Sequence, residues 1–138
     1  GKGAKEAPRV LRELSYDLPP LDRKGNLLTK VKMYDAGDFV SEDFDILKSN
    51  MDEFLKYKGF HIVFGGDHSI GIATNRAFFD KCLRLNKIPV IIHIDAHPDI
   101  CDTYHGSKYS HACPIARAIE YGYKDENITF EEYCVKYK

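Results

Sequence analysis

Phe60-His61-Ile62-Val63-Phe64-Gly65-Gly66-Asp67-His68-Ser69 and Ile88-Pro89-Val90-Ile91-Ile92-His93-Ile94-Asp95-Ala96-His97-Pro98-Asp99 are the two stretches that decide the fold. Each is a short apolar run that ends abruptly in histidine and aspartate. Strands are expected over 60–64 and 88–94. The second lacks polar alternation, as a parallel strand buried on both faces does. Between them a helix is expected from about Ser69 to Leu85, with a turn at Asn86-Lys87.

Upstream the pattern repeats. Phe44, Ile46, Leu47, Met51, Phe54 and Leu55 form a helical apolar stripe. Ser41 can cap that helix, Asp43 suits its first turn and Gly59 closes it. Leu28–Tyr34 alternates loosely and reads as a strand that ends at Asp35-Ala36-Gly37-Asp38. Before it, Pro8, Val10, Leu11 and Leu14 suit a first helix, and Leu18-Pro19-Pro20 breaks the chain. The order helix, strand, helix, strand, helix, strand is an α/β layout with a mainly parallel sheet. In such sheets ligands gather beyond the carboxyl ends of the strands. His68 and the Asp95–Asp99 cluster both sit there.

Composition limits the alternatives. The 138 residues suffice for one modest domain, and an apolar content of 43% supports a core. The 20 basic and 21 acidic side chains nearly cancel, which argues against a nucleic-acid partner. No apolar run approaches the roughly 18 residues of a membrane span. The opening Gly1-Lys2-Gly3-Ala4-Lys5-Glu6 leads into no apolar signal region, so a cytoplasmic protein with reduced cysteines is expected.

All six histidines fall between residues 61 and 111. Asp95, His97 and Asp99 are two residues apart, and an extended segment would point them to one side. His68 would enter from the neighbouring strand end. Oxygen and imidazole donors suit Mn²⁺, Zn²⁺ or Fe²⁺. Three such groups can hold one ion, with Asp95 or His97 free to reach a second. A two-metal site can polarise a substrate and hold a bridging hydroxide. His61 and His93 read as structural, His105 as an exposed loop residue, and Cys101 and Cys113 as non-nucleophilic.

Gly65-Gly66-Asp67-His68-Ser69, then Asp95-Ala96-His97-Pro98-Asp99, then Tyr109-Ser110-His111-Ala112-Cys113-Pro114 resemble the ureohydrolase family of arginases, agmatinases and their relatives. Gly3–Arg12 resembles the family's first loop and helix, and Tyr34–Asp38 its second strand end. The resemblance covers most of residues 1–120 and is closest to agmatinase-like and plant-type arginase-like members. It implies a three-layer αβα sandwich, assembled as a homo-oligomer, a trimer or hexamer. It also implies two Mn²⁺ ions: His68 and Asp99 on the first, Asp95 bridging, and His97 on the second. His111 resembles the histidine that carries a proton to the leaving amine. The implied reaction is attack of a metal-bridging hydroxide on a guanidino carbon, releasing urea, with agmatine as first substrate and arginine as second.

The family pattern continues with a DxD pair on a later strand and a glutamate for the guanidinium group. Neither follows Asp102 in this sequence. Residues 1–138 therefore read as a single truncated domain with a divergent tail over 121–138. Weak metal binding and little turnover are expected of this polypeptide by itself, together with self-association through unpaired sheet surface. Two other readings remain: a non-catalytic binding or assembly module, and a hydrolase of another C–N bond such as that of formiminoglutamate. The tail's faint likeness to a calcium loop fails, because Tyr121 and Tyr123 occupy the first ligand positions and Glu126 replaces the glycine.

Overall fold

The computed structural model describes residues 3–123. Four α-helices organise them: α1 (Ala7–Ser15), α2 (Phe44–Phe54), α3 (Gly71–Arg84) and α4 (Pro114–Tyr123). Short 3-10 turns at Ala4–Glu6 and His68–Ile70 lead into α1 and α3. The tail from residue 124 onward lies outside the described residues, and with it most of the calcium-loop comparison.

The helices follow their sequence signals closely. Pro8 sits in the first turn of α1. Asp43, rather than Ser41, caps α2, accepting the amides of Asp45 and Ile46 at 2.8 and 3.3 Å. Ser41 stands two residues earlier and accepts the amide of Asp43 at 3.0 Å. Helix α4, which starts at a proline, was not foreseen. Pro114 fits the first helical position because no amide hydrogen is needed there.

The core lies between α2 and α3, where Met51, Leu55 and Ala77 are buried with Phe54 packed against them. A second contact joins α3 to α4 and buries Ile72, Ala73, Cys113 and Ala118. A polar bridge spans the three helices. Lys48 donates to Asp52 at 2.8 Å and also pairs with Asp80, whose other oxygen accepts the Tyr121 hydroxyl at 2.8 Å. Helix α1 buries no residue among those described. Arg12 holds it instead, donating to Asp35 at 2.6 and 3.2 Å and to Asp38 at 2.8 Å.

The expected sheet is not formed among the described residues. Only isolated antiparallel bridges occur, Leu21 to Leu27 and Tyr104 to Ser107. Leu28–Tyr34 is no strand, because Val31 donates its amide back to the Leu28 carbonyl at 3.2 Å and closes a turn. Segments 60–64 and 88–94 have no ladder but keep a period of two. Ile88, Val90, Ile92 and Ile94 are 71–92% exposed, while Pro89 and His93 are half-buried. Phe60, Ile62 and Phe64 likewise face outward, and His61 turns inward against the Phe54 ring at 4.9 Å. A strand needs a neighbour in register, and alternation within one segment does not supply it.

Candidate metal centre

The centre is assembled at the ends of those two runs. Asp67 accepts the Ser69 amide at 2.9 Å and the Ser69 hydroxyl at 2.5 Å, which turns the chain into the 3-10 helix that starts at His68. The bond from the Ser69 side chain holds the Asp67 carboxyl below its usual range. Glycine is needed here for closeness, not for a left-handed backbone. A Cβ at Gly66 would stand 2.8 Å from the Ala4 carbonyl oxygen. A Cβ at Gly71 would meet Pro114 at 3.1 Å and the His68 ring at 3.5 Å. The His68 turn is thus wedged between the N-terminal 3-10 turn and the start of α4.

Asp99 approaches from the second run. It is buried, with a backbone φ of 50°. Its carbonyl accepts the amides of Ile115 and Ala116 at 3.1 and 3.3 Å, so the main chain of Asp99 anchors the first turn of α4. These two amides are among those that a helix start leaves unpaired. Its carboxylate meets His68 Nδ1 at 2.5 Å. The carboxylate can only accept, so Nδ1–H donates, and a cation bound there would take that proton's place.

Asp95 completes the group. Ligand atoms of His68, Asp95 and Asp99 all lie within 4.8 Å of one another. The amide of His97 donates to Asp95 at 2.9 Å and holds that carboxyl below its usual range, so it is ionised at neutral pH. Two carboxylates and one imidazole carry excess negative charge, and one of the carboxylates is buried. This donor set fits a divalent cation of the Mn²⁺, Zn²⁺ or Fe²⁺ kind.

The structure separates the remaining candidates from this group. The chain bends over 95–97 and is not extended. That bend turns His97 outward: its side chain is 80% exposed, with Nδ1 3.5 Å from Asp95. His111 is exposed, lies 3.4 Å from the Ser110 hydroxyl, and has the Tyr104 ring edge-on at 5.3 Å. Two further residues, His93 and Arg117, bear on the centre. His93 lies flat against His68, and Arg117 ties the loop after Asp99 to α4. Arg117 is buried and donates to Asp102 at 2.8 Å and Glu120 at 2.7 Å, which holds the Asp102 carboxyl down. The i, i+3 spacing of Arg117 and Glu120 was the available signal. Cys101 is exposed and Cys113 buried, both as free thiols.

A family model for arginases matches residues 1–131. The chain belongs to the arginase family. Agmatinase from Bacillus cereus is 30% identical over 128 residues, covering 86% of this chain and 42% of that protein. Agmatinase from Bacillus subtilis is 31% identical over the same shares. Arginase 1, mitochondrial, of Arabidopsis thaliana is 50% identical over 62 residues, covering 45% of this chain and 17% of that protein. The chain therefore spans less than half the length of these relatives. No solved structure matches it. Arginase-family proteins are hydrolases that generally depend on manganese, and the family implies an α/β fold. Among the described residues no helix is long and apolar enough to cross a membrane.

Proposed function

We propose that the protein carrying this sequence is a manganese-dependent hydrolase of a guanidino compound, agmatine before arginine, that releases urea. The observation that carries the reading is the convergence of His68, Asp95 and Asp99 within 4.8 Å in an arginase-family chain. Agmatine comes first because the agmatinase relatives align over 86% of the chain, whereas the Arabidopsis arginase aligns over 45%. A cytoplasmic homo-oligomer, trimeric or hexameric, and the three-layer αβα sandwich belong to the same proposal.

In this reading His68 and Asp99 would hold the first ion, Asp95 would serve both, and His97 would serve the second. When bound, the metal lowers the pKa of its water and so supplies a nucleophile at neutral pH. His111 accepts a proton at an imidazole nitrogen and passes it to the departing amine. Its ring is exposed enough to exchange that proton, and Tyr104 and Ser110 border it. Asp99 would do double duty, with its carboxylate available to the ion while its carbonyl fixes α4.

The test is urea release from agmatine and from arginine with Mn²⁺ added, for the sequence alone and within any longer chain that contains it. Release that His111→Ala abolishes, with Mn²⁺ affinity retained, supports the reading and names the substrate. Mn²⁺ binding with no urea from either substrate in any form sinks it. One observation favours a second reading, a non-catalytic metal-binding or assembly module: His97 and His111 both stand outside the three-residue group.

A further inference from the structure

His93 lies inside an apolar run, where a polar ring needs a reason. Its ring is parallel to that of His68, with 3° between planes and 5.4 Å between centroids. Its Nε2 lies 2.9 Å from the His97 carbonyl oxygen. A carbonyl only accepts, so Nε2–H donates, which fixes the tautomer of His93 and leaves Nδ1 without the proton in the neutral ring. One side chain thus touches both halves of the metal centre. Its face meets the ligand from the first run, and its edge closes the turn that carries Asp95 and Asp99.

Besides His93, His68 is held through its Nδ1 bond to Asp99 and through the packing of its turn, while one side of its ring borders open space. Both rings border a cavity of about 260 Å³ that Val63, Gly71, Thr74 and Asn75 also line. Gly71 offers no side chain to fill it. The His68 ring therefore has room to turn away from Asp99, and the flat contact with His93 opposes that turn. The 95–99 segment is fixed at its end, where Asp99 bonds α4 and His68, but less so over 95–97. Its internal bond is that of the His97 amide to Asp95, and the His93 donor is the contact that ties it back to the run before it.

We propose that His93 is a positioning residue of the metal centre, which sets the His68 ring against Asp99 and pins the 95–99 turn through the His97 carbonyl. The inference rests on the metal-centre reading above. Partners of metal ligands typically change affinity by about 10–100-fold when removed. His93→Ala loses both contacts and should weaken Mn²⁺ binding by about that much. His93→Phe keeps a flat ring against His68 but loses the donor, so a smaller loss is expected.

The experiment combines Mn²⁺ titration, followed by the electron paramagnetic resonance of the ion, with NMR of the His68 ring protons in metal-free protein. In the wild type those protons should show the ring-current shift of a stacked neighbour. His93→Ala should abolish that shift and His93→Phe should keep one. A general loss of stability would lower the melting temperature without selectively moving the His68 resonance or the Mn²⁺ signature. Wild-type Mn²⁺ affinity and signature in His93→Ala would overturn the inference alone. If that variant does not fold, His93→Phe decides, and wild-type affinity together with an unchanged Mn²⁺ signature there overturns it equally. A stacked His68 in a wild type that binds no Mn²⁺ would overturn the metal-centre reading and this inference with it.

Discussion

Gly66→Ala tests how tightly the His68 turn is built. The backbone there is not left-handed, so alanine meets no conformational penalty from φ. The cost is steric. The added Cβ would stand 2.8 Å from the Ala4 oxygen and 2.9 Å from its carbonyl carbon, both main-chain atoms. Ordinary contact begins near 3.4 Å, which leaves about 0.6 Å to be made up. Overpacking of this kind costs about 1–3 kcal/mol. Each kcal/mol lowers the melting temperature by roughly 2–8 °C in domains of about 60–250 residues. Metal–ligand distances normally fall within about 0.2 Å of their usual values. A displacement near 0.6 Å on the His68 side should therefore also weaken Mn²⁺ binding, by roughly tenfold or more, as for disturbed ligand supports. Gly3→Ala is the control, because a Cβ there meets nothing within 4 Å. Thermal melting and Mn²⁺ titration of both variants decide the matter. Equal melting temperatures and equal affinities for the two would refute the claim that Gly66 is required for close approach.

Three further outcomes are expected. Asp43→Ala removes the side chain that accepts two amides of α2, and should cost about 1 kcal/mol, read by chemical denaturation. Hydrogen bonds from Arg12 hold the Asp35 and Asp38 carboxyls below their ordinary value of 3.8. Their folded pKa values are depressed, so the stability they contribute is present above that value and is lost as pH falls through the folded ones. Arg12→Met should flatten the acid limb of the stability profile, and an unchanged limb would show that the fork contributes nothing in solution. Finally, Asp99→Asn should weaken the first Mn²⁺ ion far more than His97→Ala, because Asp99 is in the three-residue group and His97 points outward. Calorimetric titration of both variants gives the comparison, and the reverse ranking would contradict the geometry.

Helices were the most legible part of the sequence because their signals are local. The stripe through Met51 and Leu55, the aspartate before Phe44 and the proline in α1 each act within a few residues. The runs at 60–64 and 88–94 alternate in exposure, yet a ladder depends on distant partners that no single run encodes. Helix α4 was hidden because the amides of Ile115 and Ala116 at its start are held by the carbonyl of Asp99, 16 and 17 residues upstream, a contact fixed only by the fold. The group of His68, Asp95 and Asp99 was visible as strand-end chemistry. A common side for Asp95, His97 and Asp99 depends on an extended DxHxD segment. The bend closed by the His97 amide turns that ring to solvent. His93 was read as structural, since nothing in the sequence places its ring on His68.

The left-handed backbone of Asp99 narrows what evolution can write at that position. A φ of 50° is tolerated by glycine, asparagine and aspartate far better than by longer or branched side chains. Of these three, aspartate alone carries a charge. Glutamate would keep the charge but fit the backbone less well and overreach the 2.5 Å contact with His68. Asparagine would fit the backbone and lose the charge, and glycine would lose the side chain altogether. Because the Asp99 carbonyl also begins α4, the dihedral cannot relax without moving that helix. The alphabet at position 99 thus shrinks to one letter, through main-chain geometry as much as through the chemistry of its carboxylate.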